Sequence, residues 1–370
     1  MVVKSGCSVL NNRKPVRIIW TELSGAVQGH SLLATRLRDT AEIPAIGYKH
    51  SVSQRLLLKA SAAFCRLTSR RTPNFQEVVF GIQSRIHRNS LFHFIWGDEV
   101  VGNITRPEQA IVTVHQPMEL WSDYFWASLK NFRGVLCMAE REAQEVLARY
   151  PGLCAEFIPH GVDTKFWAPN PTLDVRHDEP VICSVGRYMR NFPMLVRVAE
   201  RMLQRHPRLT FRWVVNPGFE LPRDLELALP KARFQLLRNL SPEDLRSLYR
   251  QSVAMFMPYN NVTASNAIVE ALTTGTPIVT TDVGGMRSYA GAGVDLVENN
   301  SDDAAIACLE RLLINRGHRE RQSAAARSFA ERTMNWDYVV HRHLIYYSNV
   351  LRGRHVPVSP DFAERLAAAV

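Results

Sequence analysis

Apolar residues recur along this chain in short continuous runs, separated by windows in which they return every third or fourth position. In the first half the runs are VRIIW (16–20), LFHFIW (91–96), AIVTVH (110–115) and GVLCMA (134–139). In the second they are PVICSVG (180–186), FRWVVN (211–216), RFQLL (233–237), AMFMPY (254–259) and PIVTTD (277–282). Runs this short, rich in β-branched and aromatic residues, predict strands. The windows between them, such as SLLATRLRD, MLVRVAERMLQRH and SPEDLRSLYRQS, carry helical spacing, and Ser241 opens the last with Pro242 and Glu243 behind it. Strand and helix signals alternate from end to end, which predicts an α/β protein with parallel sheets covered by helices. The segment 167–180, WAPNPTLDVRHDEP, holds three prolines and no periodicity. It reads as the seam between two doubly wound Rossmann-like domains that face across a cleft at the carboxyl ends of their sheets. The tail NWDYVVHRHLIYYSNVL reads as a helix whose Trp336, Tyr338, Tyr346 and Tyr347 need a surface, with docking back across the seam expected.

The stretch 261–285, NVTASNAIVEALTTGTPIVTTDVGG, concentrates polar groups at two places. Ser265 and Asn266 suit a helix start, Gly275 and Pro277 end the helix, and Ile278 to Thr280 begin a strand that finishes at Asp282. A helix start there offers free backbone amides to a phosphate, and Glu270, one turn in, can accept from two vicinal hydroxyls such as those of a ribose.

Composition changes this picture little. At 370 residues and 46% hydrophobic the chain can bury sizeable cores, and its length favours more than one domain. No apolar window is long enough to span a bilayer, and MVVKSGCSVLNNRKP lacks a signal peptide's apolar core, so a cytoplasmic protein is expected. The six cysteines form no CxxC pair and read as reduced thiols, Cys137 and Cys183 inside strands. Forty-five basic against 35 acidic residues give +10, a surplus that attracts phosphate in nucleic acid, anionic lipid or nucleotide alike.

Three strand ends carry further candidates. Gly25 and Gly29, in TELSGAVQGHS, fit either an ordinary strand-to-helix turn or a loop whose amides approach a ligand oxygen; no GxGxxG is present, which argues against NAD. His115 closes AIVTVH, where an imidazole can donate to a sugar hydroxyl or steady an anion, and where an ordinary loop histidine also fits; His93, inside its strand, reads as structural. In GRYMRN, Gly186 permits a tight turn, and Arg187 and Arg190 can aim two guanidinium forks at one diphosphate with no carboxylate in the loop to neutralise them.

TVHQP (113–117), FIPHGVDTKFW (157–167), SVGRYMRNFP (184–193) and ASNAIVEALTTGTPIVTTDVGG (264–285) together resemble the retaining glycosyltransferases of GT-B fold in family 4, the group 1 glycosyltransferases. The tail TMNWDYVV is similar to the family's closing helix. The likeness implies an acceptor-side domain at 1–172, a nucleotide-sugar domain at 173–335 and a helical tail at 336–370. It implies that Arg187 and Arg190 hold the donor diphosphate, that Glu270 holds the ribose and that His115 lies beside the transferred sugar. Gly25, Gly29, Gly186, Ser265 and Asn266 would line the nucleotide sugar. Two positions depart from the pattern: Val262 stands where the first glutamate of a pair is expected, and Ser288 where a glutamate follows the Gly-Gly.

The activity implied is retaining transfer from a nucleotide-diphosphate sugar to a hydroxyl of a glycan, lipid-linked or small-molecule acceptor, as in glycan, polysaccharide or glycolipid biosynthesis. No metal or other cofactor is expected, because two arginines can balance the diphosphate, and nucleic acid is not an expected partner. Val262 keeps open a catalytically silent nucleotide-sugar-binding protein, and the architecture a sugar-nucleotide epimerase. Residues 53–71, SQRLLLKASAAFCRLTSRR, place Leu56, Leu57, Ala60, Phe64 and Leu67 at helical spacing among basic charges only. That pattern fits a helix at an anionic inner membrane face and equally fits a helix packed on the first sheet.

Overall fold

The computed structural model describes residues 16–21, 30–41, 43–48, 75–98, 104, 106–169, 179–220, 222–223, 229–230, 232–291 and 293–353. By its contacts the chain falls into two units, Met1–Ile158 with Trp336–Val370, and Pro159–Asn335. Gly25, Gly29 and the 53–71 segment lie outside the described residues.

The first unit runs β1 (Val16–Thr21), α1 (His30–Ala41), β2 (Ala45–Tyr48), α2 (Phe75–Ile86), β3 (Leu91–Phe94), β4 (Ala110–Val114), α3 (Asp123–Leu129), β5 (Gly134–Cys137), α4 (Glu140–Arg149) and β6 (Cys154–Phe157). The second runs β7 (Val181–Val185), α5 (Phe192–Arg205), β8 (Thr210–Val215), β9 (Phe234–Arg238), α6 (Pro242–Gln251), β10 (Ser252–Met257), α7 (Asn266–Thr274), β11 (Ile278–Thr281), β12 (Val294–Val297), α8 (Asp302–Ile314) and α9 (Arg316–Thr333). A last helix, α10 (Trp336–Arg352), returns to the first unit.

Each unit holds a six-stranded sheet, in the orders β2-β1-β3-β4-β5-β6 and β12-β11-β10-β7-β8-β9. Every strand pair is parallel. The strand order reverses beside β1 in one sheet and beside β7 in the other, and loops leaving the carboxyl ends at such a reversal open a crevice for ligand. The nine runs read as strands all appear. The strands not picked out by apolar pattern, β2, β6 and β12, are each at a sheet edge. An edge strand is short and half-covered, so it needs no continuous apolar run; β6 reads CAEF and β12 VDLV.

Local sequence sets the helix ends. Asn191 caps α5 by accepting from the Met194 N–H at 3.1 Å, and Ser241 caps α6 by accepting from the Asp244 N–H at 3.0 Å. Helix α7 closes at Gly275, with the Thr276 N–H on the Ala271 carbonyl at 2.9 Å. The core of the second unit packs α5 and α8 against the sheet through residues such as Met194, Met202, Trp213, Phe256 and Leu309.

In the first unit α10 supplies Trp336, Val339, Val340, Tyr346 and Tyr347 to a core with Ile18, Leu91, Ile111 and Leu136. Polar bonds set its register: the Tyr346 hydroxyl donates to the Cys154 carbonyl at 3.0 Å, and Arg342 meets Glu156 at 2.5 Å. His93 is fully buried and bridges the Tyr347 hydroxyl and Thr113 Oγ1, each at 2.7 Å, while burial pushes its pKa well down. It is a core histidine, as its mid-strand position predicts. Cys137, Cys154, Cys183 and Cys308 are free thiols. Among the described residues no helix is long and apolar enough to cross a membrane.

Residues just ahead of the proline-rich 167–180 segment and at its start are fastened to the second unit. Arg246 donates to the Phe166 carbonyl at 2.9 Å with its guanidinium over the Phe166 ring, and Arg250 donates to the Ala168 carbonyl at 2.7 Å. Trp167 is buried beside Tyr249.

Candidate functional site

In the second unit three loops leave the carboxyl ends of the neighbouring strands β7, β10 and β11, and backbone bonds stitch them together. The Asn191 N–H donates to the Pro258 carbonyl and the Asn260 N–H to the Met189 carbonyl, both at 2.9 Å. The Gly285 N–H donates to the Val262 carbonyl at 2.6 Å. Gly284, at φ 56°, lies so close to the second loop that a Cβ there would collide with the Val262 backbone and the Asn261 side chain. The Gly-Gly pair is thus what lets the third loop close on the second.

Arg190 ties the 186–191 loop together. Its guanidinium lies over the Tyr259 ring and donates to the Val185 carbonyl through Nη2 at 2.8 Å and to the Tyr188 carbonyl through Nη1 at 2.9 Å. Gly186, at φ 79°, turns the chain so that this fork can reach back: a Cβ there would stand 3.1 Å from Arg190 Nη2. The Trp213 indole donates to the Gly186 carbonyl at 2.9 Å. Arg190 is 9% exposed, and burial lowers its pKa. Arg190, expected to aim at a diphosphate, here commits its Nε and one donor from each terminal nitrogen to the loop that it braces. Arg187 is exposed, and its guanidinium makes no ion pair or hydrogen bond to the described residues. Tyr188 beside it is 66% exposed.

Helix α7 begins where this loop cluster ends. Ser265 is its N-cap, yet the Ser265 side chain makes no capping bond, so the first-turn amides are left without the usual serine oxygen. Asn266 is exposed and Ser265 half-buried. Glu270 lies one turn in, 5% exposed, accepting from the Tyr249 hydroxyl at 3.1 Å. Burial pushes its carboxyl up to about 8, against a smaller opposing pull from that bond. The structure therefore gathers Gly186, Arg187, Arg190, Ser265, Asn266 and Glu270 on the carboxyl-end side of one sheet. Val262, at the position of the expected first glutamate, is buried in the same cluster.

His115 belongs to the first unit, at the carboxyl end of β4. Its ring stacks on Trp96, with centroids 4.4 Å apart, and its Nδ1 lies 3.3 Å from Asp98 Oδ2. Asp98 also accepts the His115 and Gln116 backbone N–H groups, each at 3.0 Å. Burial alone would raise the Asp98 carboxyl, but the bond and charge of His115 and the two backbone donors hold it below its ordinary value. An ionised carboxylate only accepts, so the Nδ1 that faces it carries the proton. Sequence reading missed Trp96 and Asp98. The available signal was position, since WGD follows β3, the strand paired with β4. Among the described residues no three His, Cys, Asp or Glu side chains cluster as a metal site.

Residues 167–329 match the family model of glycosyl transferases group 1. A D-inositol 3-phosphate glycosyltransferase of Kribbella flavida is 28% identical over 237 residues, covering 58% of this chain and 55% of its own. One of Geodermatophilus obscurus is 34% identical over 204 residues, covering 50% and 44%. The chain thus spans about half the length of these curated relatives. Among solved structures, sucrose-phosphate synthase from Thermosynechococcus elongatus superposes with a TM-score of 0.68 at 15% identity, over 92% of this chain and 100% of that one. Anabaena HepE, solved with UDP and glucose, gives 0.64 at 14% identity over 91% and 100%. Both units thus share the GT-B fold of these solved structures, and residues 167–329 of the second are similar to the group 1 glycosyl transferases.

Proposed function

We propose that the protein transfers a sugar from a nucleotide-diphosphate sugar to an acceptor hydroxyl with retained anomeric configuration, in glycan, polysaccharide or glycolipid biosynthesis, without a metal. The observation that carries this reading is the braced 186–191 loop, which bears an exposed Arg187 and is stitched to the loop that leads into α7, the helix of the buried Glu270. In such a transfer negative charge builds on the departing diphosphate. Arg187 and the first-turn amides of α7 meet that charge without having to reorganise, because Arg190 has already fixed the loop. Glu270 accepts from the ribose hydroxyls, and the Asp98–His115 pair offers an oriented imidazole to the sugar.

The relatives named D-inositol 3-phosphate glycosyltransferases put a phosphorylated polyol on the acceptor panel, and HepE puts UDP-glucose on the donor panel. Incubation with UDP-, GDP- and ADP-sugars, with and without acceptors, tests the reading through nucleotide release and glycoside formation. Nucleotide binding without turnover on any donor would favour the silent binding protein that Val262 keeps open. We also propose that residues 53–71 hold the protein at an anionic membrane surface. Equal flotation with anionic and neutral vesicles would overturn that.

A further inference from the structure

A groove of about 580 Å³ opens at the opposite edge of the first unit's sheet from His115. Its walls come from the segments that enter three neighbouring strands: Glu108 ahead of β4, Lys130 and Arg133 ahead of β5, and Arg149 to Leu153 ahead of β6. His115 follows the carboxyl end of β4, so the groove is separate from the histidine site. Its volume is within the roughly 300–1,000 Å³ usual for small-molecule sites.

The groove has an apolar floor and a cationic rim. Phe132, Leu153 and Val350 are buried beneath it, and Tyr150 is half-buried at its side. Lys130, Arg133 and Arg149 are exposed, and none of them makes an ion pair with a described residue. Against these three cations stands, among the described residues, one lining carboxylate, Glu108. The half-buried Cys154 thiol in the wall, pushed up to about 12 by burial and by Glu156, is neutral and offsets none of that charge.

The rim is preset. Trp126 holds two of its residues at once: the Arg149 guanidinium lies 4.5 Å from the Trp126 ring centroid, and the Tyr150 hydroxyl donates to the Trp126 carbonyl at 2.8 Å. The Arg133 N–H is bonded to the Ala110 carbonyl at 2.8 Å, which fixes the turn that presents its side chain. Like charges gathered round one concavity repel each other and raise the local concentration of anions. A guanidinium pair with an ammonium suits phosphate oxygens, and the apolar floor suits a ring or short chain attached to them.

We propose that this groove is a second binding site, for a phosphate ester, with the phosphate held by Lys130, Arg133 and Arg149 and the organic part over Phe132 and Tyr150. The ester is either a soluble sugar phosphate or a lipid headgroup. The test is calorimetric titration of the full chain with glucose 6-phosphate, in wild type and in Arg187→Ala so that the second unit's site is not counted, together with flotation on phosphatidic acid and phosphatidylcholine vesicles. Saturable binding that survives Arg187→Ala and weakens at least tenfold in Lys130→Gln/Arg133→Gln/Arg149→Gln supports a soluble ester. Recovery on phosphatidic acid vesicles alone, lost in the same variant, supports a headgroup. Glu108→Gln should tighten either interaction about two- to threefold, an effect of sign that damage to the fold would not give. Arg133→Gln alone serves if the triple variant melts early. Indistinguishable behaviour of wild type and the rim variants in both assays would overturn the proposal.

Discussion

The guanidinium of Arg190 sits over the ring of Tyr259, its central carbon 3.9 Å from the ring centroid, and joins the loop after β7 to the loop after β10. A fully buried aromatic face and two backbone carbonyls replace the carboxylate that a buried arginine usually has. Arg190→Ala would leave those carbonyls without donors and a void over the ring. It should cost about 2–4 kcal/mol in urea unfolding. Arg190→Lys should recover only part, since one ammonium cannot span a fork. Full stability together with lost turnover would instead make Arg190 a ligand contact.

Arg187 should behave in the opposite way. Its side chain is exposed and uncommitted among the described residues, so Arg187→Ala should change stability by less than about 0.5 kcal/mol. Turnover should fall by the equivalent of about 2–4 kcal/mol, read as the ratio of kcat/KM values. Wild-type rates would remove Arg187 from the diphosphate site.

Glu270 makes the protein's behaviour pH-dependent in a specified direction. Its folded carboxyl is raised to about 8, well above its value of about 4.3 in an unfolded chain. Between those values the folded state holds a proton that the unfolded state lacks. Stability from this group is therefore greatest at low pH and falls by up to about 1.4 kcal/mol per pH unit as pH rises towards 8. Glu270→Gln should flatten that slope in unfolding titrations at several pH values. Hydroxyls donating to the carboxylate favour its ionised form, so nucleoside diphosphate binding near pH 7 should release a proton. Calorimetry in two buffers of different ionisation enthalpy measures this, and affinity should fall by about 1.5–3 kcal/mol in Glu270→Gln. Unchanged affinity in that variant would assign Glu270 to the core alone.

Asp98 should act through His115. Asp98→Asn keeps the shape but can present a donor to Nδ1 and favour the other tautomer, so turnover should fall about tenfold. His115→Ala should lower it at least as far, and the double variant should lose no more than His115→Ala alone. Additive losses would mean that Asp98 serves some other part of the unit.

Much of this protein was legible in its sequence because the signals were local. Buried parallel strands must be apolar on both faces, so runs such as VICSV and AMFM announce themselves, and Ser241 and Gly275 act on backbone groups within a turn of themselves. The order of strand and helix, the polar cluster at Ser265 and Asn266 and the place of Arg187 followed from that short-range chemistry. What the sequence left undecided depends on who stands opposite whom. Three of the four edge strands, β2, β6 and β12, lacked an apolar run, since one side of each has no neighbour to bury it, whereas the fourth, β9, kept one. Arg187 and Arg190 look equivalent in GRYMRN, and only Tyr259, far along the chain, separates them by burying one guanidinium and leaving the other in solvent. Asp98 became a partner of His115 only when β3 and β4 paired in parallel and brought their carboxyl ends together. A carboxyl takes its charge state from its surroundings, so the raised Glu270 and the lowered Asp98 are properties of the tertiary structure: burial wins at Glu270, and at Asp98 it is outweighed by the bond and charge of His115 together with two backbone donors.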